Sequence, residues 1–262
     1  MGTPLVIVFD LDGTLIGLVN LLVSGWLSVK DSNNNMTTPE FQQALTQILK
    51  DDQVARPHLK EFMERSQAEF GNVEFFVYTA SKKQWAEHIV FCLEKAFDIK
   101  FRRPIFNNEE HTYWGYKLIK KILPDIQTDL ITKYGVLSQN SIRERLVVFD
   151  DCPHVYDDVS DMKKIIRCPS YKTFGVVDIV EHVPKETLKV SGYKSIAKNL
   201  TTTMNVKFEQ KELETYKEFD KKWRLLYRVI KENVEKHEEE PESRNYWKDF
   251  DLSHIHIILN NT

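Results

Sequence analysis

The stretch that decides the fold is Leu5-Val6-Ile7-Val8-Phe9-Asp10-Leu11-Asp12-Gly13-Thr14-Leu15, five apolar residues followed by two acids one residue apart and then Gly-Thr. A short, nearly continuous apolar run rich in Val and Ile marks a strand covered on both faces, as in a parallel sheet. Functional groups in open α/β sheets gather in the crevice beyond the carboxyl ends of the strands. Asp10 would emerge there. One carboxylate in that place can attack a phosphorus atom and become an aspartyl-phosphate. A second, two positions on, can exchange a proton with the leaving oxygen. The plainer alternative is a strand that closes in an acidic turn, where Asp-Gly is common punctuation.

Two more runs of the same kind follow. Residues 73–78 (VEFFVY) end in the hydroxyl-rich turn Thr79-Ala80-Ser81, and residues 146–149 (LVVF) end in Asp150 and Asp151, closed by Cys152-Pro153. Between them, the spacing predicts helices from Pro39, over 58–70 and over 82–97, the last with Trp85, Ile89, Cys92, Leu93 and Phe97 at helical intervals. Residues 101–106 and 164–168 are short strand candidates, 113–123 read as a helix presenting Lys117, and 124–145 show no clear period. Strands alternating with helices imply a parallel sheet with right-handed crossovers. Three strands would then deliver Asp10, Asp12, Thr79, Asp150 and Asp151 to one place. The polar loop at 30–38 (KDSNNNMTT) reads as a flap over that place.

With 262 residues and 42% hydrophobic content, the chain can bury one large core, or one core and a small appendage. We expect an α/β domain over 1–200 and a helical extension over 201–262. From about residue 207 the composition turns strongly charged, without Gly or Pro through residue 240. Tyr216, Phe219, Trp223, Leu226, Tyr227, Ile230 and Val234 form a stripe at helical spacing, expected to pack on the protein's own body or on a partner. The net charge of −3, from 36 basic and 39 acidic residues, supplies no global cationic field, so direct nucleic-acid binding is not expected. Cys92, Cys152 and Cys168 lack metal-ligand spacing and are odd in number, which favours free thiols in a reducing compartment. The apolar start lacks a basic leader and is broken by Asp10 and Asp12, so neither a signal peptide nor a membrane anchor is expected. Cytoplasm or nucleus remains.

The set DLDGT, VYTAS, a Lys in the middle and FDD resembles the haloacid dehalogenase superfamily of phosphohydrolases. More narrowly, Arg56-Pro57 at a helix start, Thr79-Ala80-Ser81 and Asp150-Asp151-Cys152-Pro153, in that order, resemble the CTD phosphatase-like branch, which dephosphorylates serines in the tail of RNA polymerase II. The similarity spans roughly residues 4 to 170. It implies a Rossmann-like parallel sheet of the haloacid dehalogenase type, with a small flap and not a full cap. It also implies Asp10 as nucleophile, Asp12 as general acid and base, Thr79 as a hydrogen-bond donor to the phosphoryl oxygens, and Lys117 as the cation that neutralises them. Lys120 and Lys121 lie on the same predicted helix. The resemblance puts the metal on Asp10, Asp150 and the main-chain carbonyl of Asp12, substrate at Thr79, Ala80, Ser81 and Lys117, and Thr14 and Asp151 in support. Gly13 stands where many branch members carry a larger residue.

The chemistry agrees. A carboxylate attacking a phosphate dianion meets like-charge repulsion, so a divalent cation and a Lys are needed. Carboxylates with room for water and phosphate suit Mg2+, and no His or Cys cluster competes for zinc. The leading expectation is thus a magnesium-dependent phosphoserine or phosphothreonine protein phosphatase acting on a polymerase-tail-like peptide. The alternatives are a small-molecule or nucleotide phosphatase on the same fold, and a noncatalytic binding or scaffold module. Trp85 and Trp114 are candidates either for a peptide groove or for the core.

Overall fold

The computed structural model describes residues 3–17, 39–51, 54–107, 128–133, 135, 145–152, 165–168, 170–171, 228 and 230. Its centre is a four-stranded sheet of order β2-β1-β3-β4, from β1 (Leu5–Phe9), β2 (Val73–Val77), β3 (Leu146–Asp150) and β4 (Ile165–Arg167). All three neighbour pairs are parallel, with Phe9 opposite Val77 on one side and opposite Phe149 on the other. The carboxyl ends of β1, β2 and β3 are therefore level. Whatever follows Phe9, Val77 and Phe149 meets along one edge of the sheet.

β1 is central because every one of its side chains is apolar and both its faces are covered. Leu5, Ile7 and Phe9 point into the main core, where they meet α1 (Pro39–Asp51), α2 (Leu59–Phe70) and α3 (Lys83–Phe97) through residues such as Leu49, Phe62 and Ile89. Val6 and Val8 point to the opposite face, covered with Phe76, Val148 and Leu130, the last from a π-helical turn at Asp129–Lys133. Phe9, the residue before Asp10, is held by its ring: it stacks between Phe75 and Phe149, and Phe62 and Phe101 meet it edge-on. Aromatic contacts of this kind add to the burial of the ring itself.

Residues 101–106 depart from the strand expected of them. They run beside β2, but only Tyr78 and Phe106 pair as an isolated bridge. The amides of Arg102 and Phe106, four residues apart, reach the carbonyls of Phe75 and Val77, which are two apart. The segment must bow out between those bonds, and Pro104, having no N–H, sits in the bow. Glu94 holds it there, accepting from the Phe101 amide at 2.9 Å and from both terminal nitrogens of Arg103 at 3.0 Å.

Ile230 is wholly buried within the main core. The other stripe residues of the C-terminal segment, the flap at 30–38, the helix expected at 113–123 and Trp114 lie outside the described residues. No described helix is long and apolar enough to cross a membrane.

Candidate active site

The turn after β1 is built to hold its conformation. The amides of Leu15 and Ile16 fold back onto the carbonyl of Leu11, and the amide of Gly13 reaches that of Ile16. Gly13 has φ +86°, a region that side chains with a Cβ rarely enter. A Cβ there would lie 2.6 Å from Asp151 Oδ2 and 3.0 Å from Ser170 Oγ. Both the backbone conformation and the neighbouring carboxylate require glycine.

Arg56 braces this turn from beneath. It is 1% exposed, the bulkiest fully buried side chain among the described residues, and its Nε donates to the Thr14 carbonyl at 2.6 Å while a terminal nitrogen reaches the Gly13 carbonyl at 3.3 Å. Its guanidinium lies 5.0 Å from the ring centre of Tyr171, whose amide also donates to the Gly13 carbonyl. A buried charge needs such partners to be tolerated. The sequence marks Arg56 only as half of an Arg-Pro pair; its part in seating the loop depends on contacts some forty residues away in the chain.

Above the turn three of the acids draw together and the fourth, Asp12, stands apart. Asp10, Asp150 and Asp151 each offer a carboxylate oxygen within 4.8 Å of the others, with Asp10 and Asp150 buried. The Asp10 amide donates to Phe149 O, and Asp150 Oδ1 accepts from the Cys152 amide at 2.7 Å, which fixes the second strand end against the first. Thr14 links the two: its hydroxyl accepts from the Asp151 amide at 3.0 Å and donates to Asp151 Oδ1 at 3.3 Å. Three carboxylates this close, two of them out of water, repel one another unless a cation sits among them. The all-oxygen donor set fits a hard divalent ion. Asp151, expected only in support, offers its own carboxylate to the group.

Asp12 faces the other way, toward β2 and α3. Its Oδ2 accepts from the Ser81 hydroxyl and, at 3.4 Å, from the Thr79 hydroxyl; its Oδ1 accepts from the Trp85 indole N–H at 3.1 Å. Thr79 is itself fixed, taking the Ser81 amide on its oxygen at 3.0 Å and giving its amide to Phe106 O. The structure thus brings Asp10, Asp12, Thr14, Thr79, Ser81, Asp150 and Asp151 to one edge of the sheet, with Ala80 in the same corner. Lys117, Lys120 and Lys121 lie outside the described residues. Trp85 is buried, but its polar edge reaches the site, a contact that helical periodicity alone cannot report.

The Cys168 thiol lies 3.7 Å from the Thr14 hydroxyl beneath the site, and burial pushes it up to about 12. It is a packing residue at neutral pH, since the thiolate is the reactive form. Cys152 is half-buried and contributes its amide to Asp150.

A parallel sheet that gathers one acid pair from its central strand, a second from the next strand and hydroxyls from the third is how phosphatases of the haloacid dehalogenase type are made, and the chain is of that class. Residues 5–189 match the model of the NLI interacting factor-like phosphatases, and the chain belongs to that family. No curated protein matches it. Two solved structures are similar: fission yeast Fcp1, an RNA polymerase II CTD phosphatase, as a single-residue variant bound to beryllium fluoride, at 15% identity and TM-score 0.45, and Fcp1, described as an essential RNA polymerase II CTD phosphatase, at 16% and 0.45. In each case 93% of this chain and 68% of the other are covered.

Proposed function

We propose that the protein is a magnesium-dependent phosphoserine/phosphothreonine protein phosphatase that works through an aspartyl-phosphate on Asp10. The observation that carries this reading is the division of labour among the carboxylates: Asp10 sits with two other acids, while Asp12 is turned toward hydroxyl and indole donors. In the first step an Asp10 oxygen attacks phosphorus, and the departing oxygen takes a proton from Asp12. In the second, water gives its proton to Asp12 as it attacks phosphorus, and the Asp10 carboxylate and inorganic phosphate are released. Thr79, with the main chain at Ala80, receives the phosphoryl oxygens, and Lys117 neutralises them.

Asp10, Asp150 and Asp151, with the main-chain carbonyl of Asp12, would hold Mg2+. Its contribution is to offset the negative charge of the phosphoryl group against that of Asp10. The stretch between Thr14 and Arg56 is short and rich in polar loop residues, which favours a flap over a full cap domain and suits an extended peptide such as a polymerase tail.

The test is a panel of phosphopeptides, nucleotides and p-nitrophenyl phosphate, with Mg2+ and with EDTA, on wild type and Asp10→Asn. Phosphopeptide hydrolysis that needs Mg2+, no turnover by the variant, and capture of beryllium fluoride on Asp10 are expected. Wild-type rates from the variant would remove the covalent mechanism, and hydrolysis of nucleotides alone would replace the peptide with a small molecule.

A further inference from the structure

The hydrogen bonds around Asp12 are unequal in kind, and that inequality has a chemical consequence. An indole N–H is a donor only, whereas a hydroxyl can donate or accept. Oδ1 faces Trp85 Nε1 at 3.1 Å, while Oδ2 faces the hydroxyls of Ser81 and Thr79. When Asp12 carries a proton, Oδ1 remains the better acceptor because its neighbour cannot reverse. Oδ2 can bear the proton, because the hydroxyls beside it can turn from donating to accepting.

The geometry points to Trp85 as a positioning residue that assigns the Asp12 proton to Oδ2 and fixes the angle at which the carboxyl stands. This rests on the proposed role of Asp12 as acid and base. In the first step Oδ2 gives its proton to the leaving oxygen as the bond from phosphorus to that oxygen breaks and the bond to Asp10 forms. In the second, Oδ2 regains a proton from water as the water oxygen bonds to phosphorus and the phosphorus–Asp10 bond breaks, which releases inorganic phosphate. Trp85 changes no bond. It is well placed for a fixed post: the indole is 4% exposed, carried on the first turn of α3 and set in the main core, while only its N–H edge reaches Asp12. Ser81 belongs to the same device, because its hydroxyl is directed at Asp12 and its amide at Thr79. The expectation from sequence had put Ser81 on substrate.

The test uses Trp85→Phe, which keeps an aromatic ring in the core and removes the N–H. Two substrates are compared by kcat/KM, which reports the steps up to departure of the leaving group. A phosphoserine peptide has an alkoxide leaving group that needs the proton; p-nitrophenolate leaves without it. Trp85→Phe is expected to lower kcat/KM about 10- to 100-fold on the peptide, a misplaced general acid being worth that much. On p-nitrophenyl phosphate the change should stay within about 3-fold, and the peptide loss should fall on kcat and not on KM. In an Asp12→Asn background the same substitution should cost nothing further on the peptide, because the two act through one proton.

Equal losses on both substrates, or a full further loss in the Asp12→Asn background, would reduce Trp85 to a core residue. No loss on either would do the same. Ser81→Ala, a smaller change at the other oxygen, is expected to show the same leaving-group selectivity, and serves if Trp85→Phe melts at the assay temperature; a Ser81→Ala protein without that selectivity overturns the assignment. Wild type that hydrolyses neither substrate, or Asp12→Asn as active as wild type, overturns the acid-base reading first and this inference with it.

Discussion

Gly13 shows how narrow the tolerance of the site is at the scale of one residue. Alanine there must take up φ +86° and place a methyl carbon 2.6 Å from a carboxylate oxygen of Asp151. The backbone term alone is of order 1 to 3 kcal/mol. Relief of the contact requires Asp151 to move, and with it the acid group it forms with Asp10 and Asp150. Gly13→Ala is therefore expected to lower the melting temperature and, separately, to raise the Mg2+ concentration needed for half-maximal activity. A variant with both quantities at wild-type values would mean that the turn yields without disturbing the acids. Arg56 belongs to the same neighbourhood: it satisfies the carbonyls of Gly13 and Thr14, so the loop's shape rests on a side chain some forty residues further along the chain.

Among the elements, α3 has two roles. Its buried side carries Trp85, Ile89, Cys92 and Leu93 into the core, and its first turn brings the indole to Asp12. His88 lies on the same helix and is buried, and desolvation lowers its pKa from 6.5 to about 4. A histidine held neutral in the fold takes up a proton only when the chain unfolds, so the unfolded state binds more protons between pH 6.5 and 4. Stability is fully present above that window and is lost as pH falls through it. The loss from a shift of this size is about 3 kcal/mol. His88→Gln cannot titrate, so the difference in unfolding free energy between wild type and variant should grow in the variant's favour from pH 6.5 down to 4, and stay constant above pH 7.5. Denaturant titrations at a series of pH values measure it. A flat difference across the window would show that His88 is protonated in the fold.

At the scale of the whole molecule, the C-terminal third reaches the core through Ile230. Ile230 has no exposed surface and lies in the core shared by α1, α2, α3 and the sheet. We propose that the segment over 201–262 packs on the α/β domain through the stripe to which Ile230 belongs. Ile230→Ala should then destabilise the protein by about 2 to 5 kcal/mol, through lost burial and the cavity left behind. A thermal melt with light scattering distinguishes this from an interface: a drop in melting temperature at unchanged mass supports self-packing, and unchanged melting with a change of mass supports a partner.

The order of elements along the chain was legible because it depends on local pattern. Apolar runs at 5–9, 73–77 and 146–149 are strands, helices follow at 39–51, 59–70 and 83–97, and parallel pairing follows from their alternation. That Asp10, Asp12, Thr79, Asp150 and Asp151 would meet was legible for the same reason, since a parallel sheet puts strand ends level. The departure at residues 101–106 is tertiary in origin: the mixed segment FRRPIF, interrupted by Pro104, cannot show that its amides will skip along β2. What tertiary structure alone decided is which atom faces which. Three acids draw together while Asp12 turns to Trp85 and Ser81, Arg56 lies under the turn of Gly13, and Asp151 fills the space a Cβ at residue 13 would need. Such choices depend on contacts between residues 40 to 140 positions apart, set by packing and by the need of buried polar groups for partners, and neither of these has a period in the sequence.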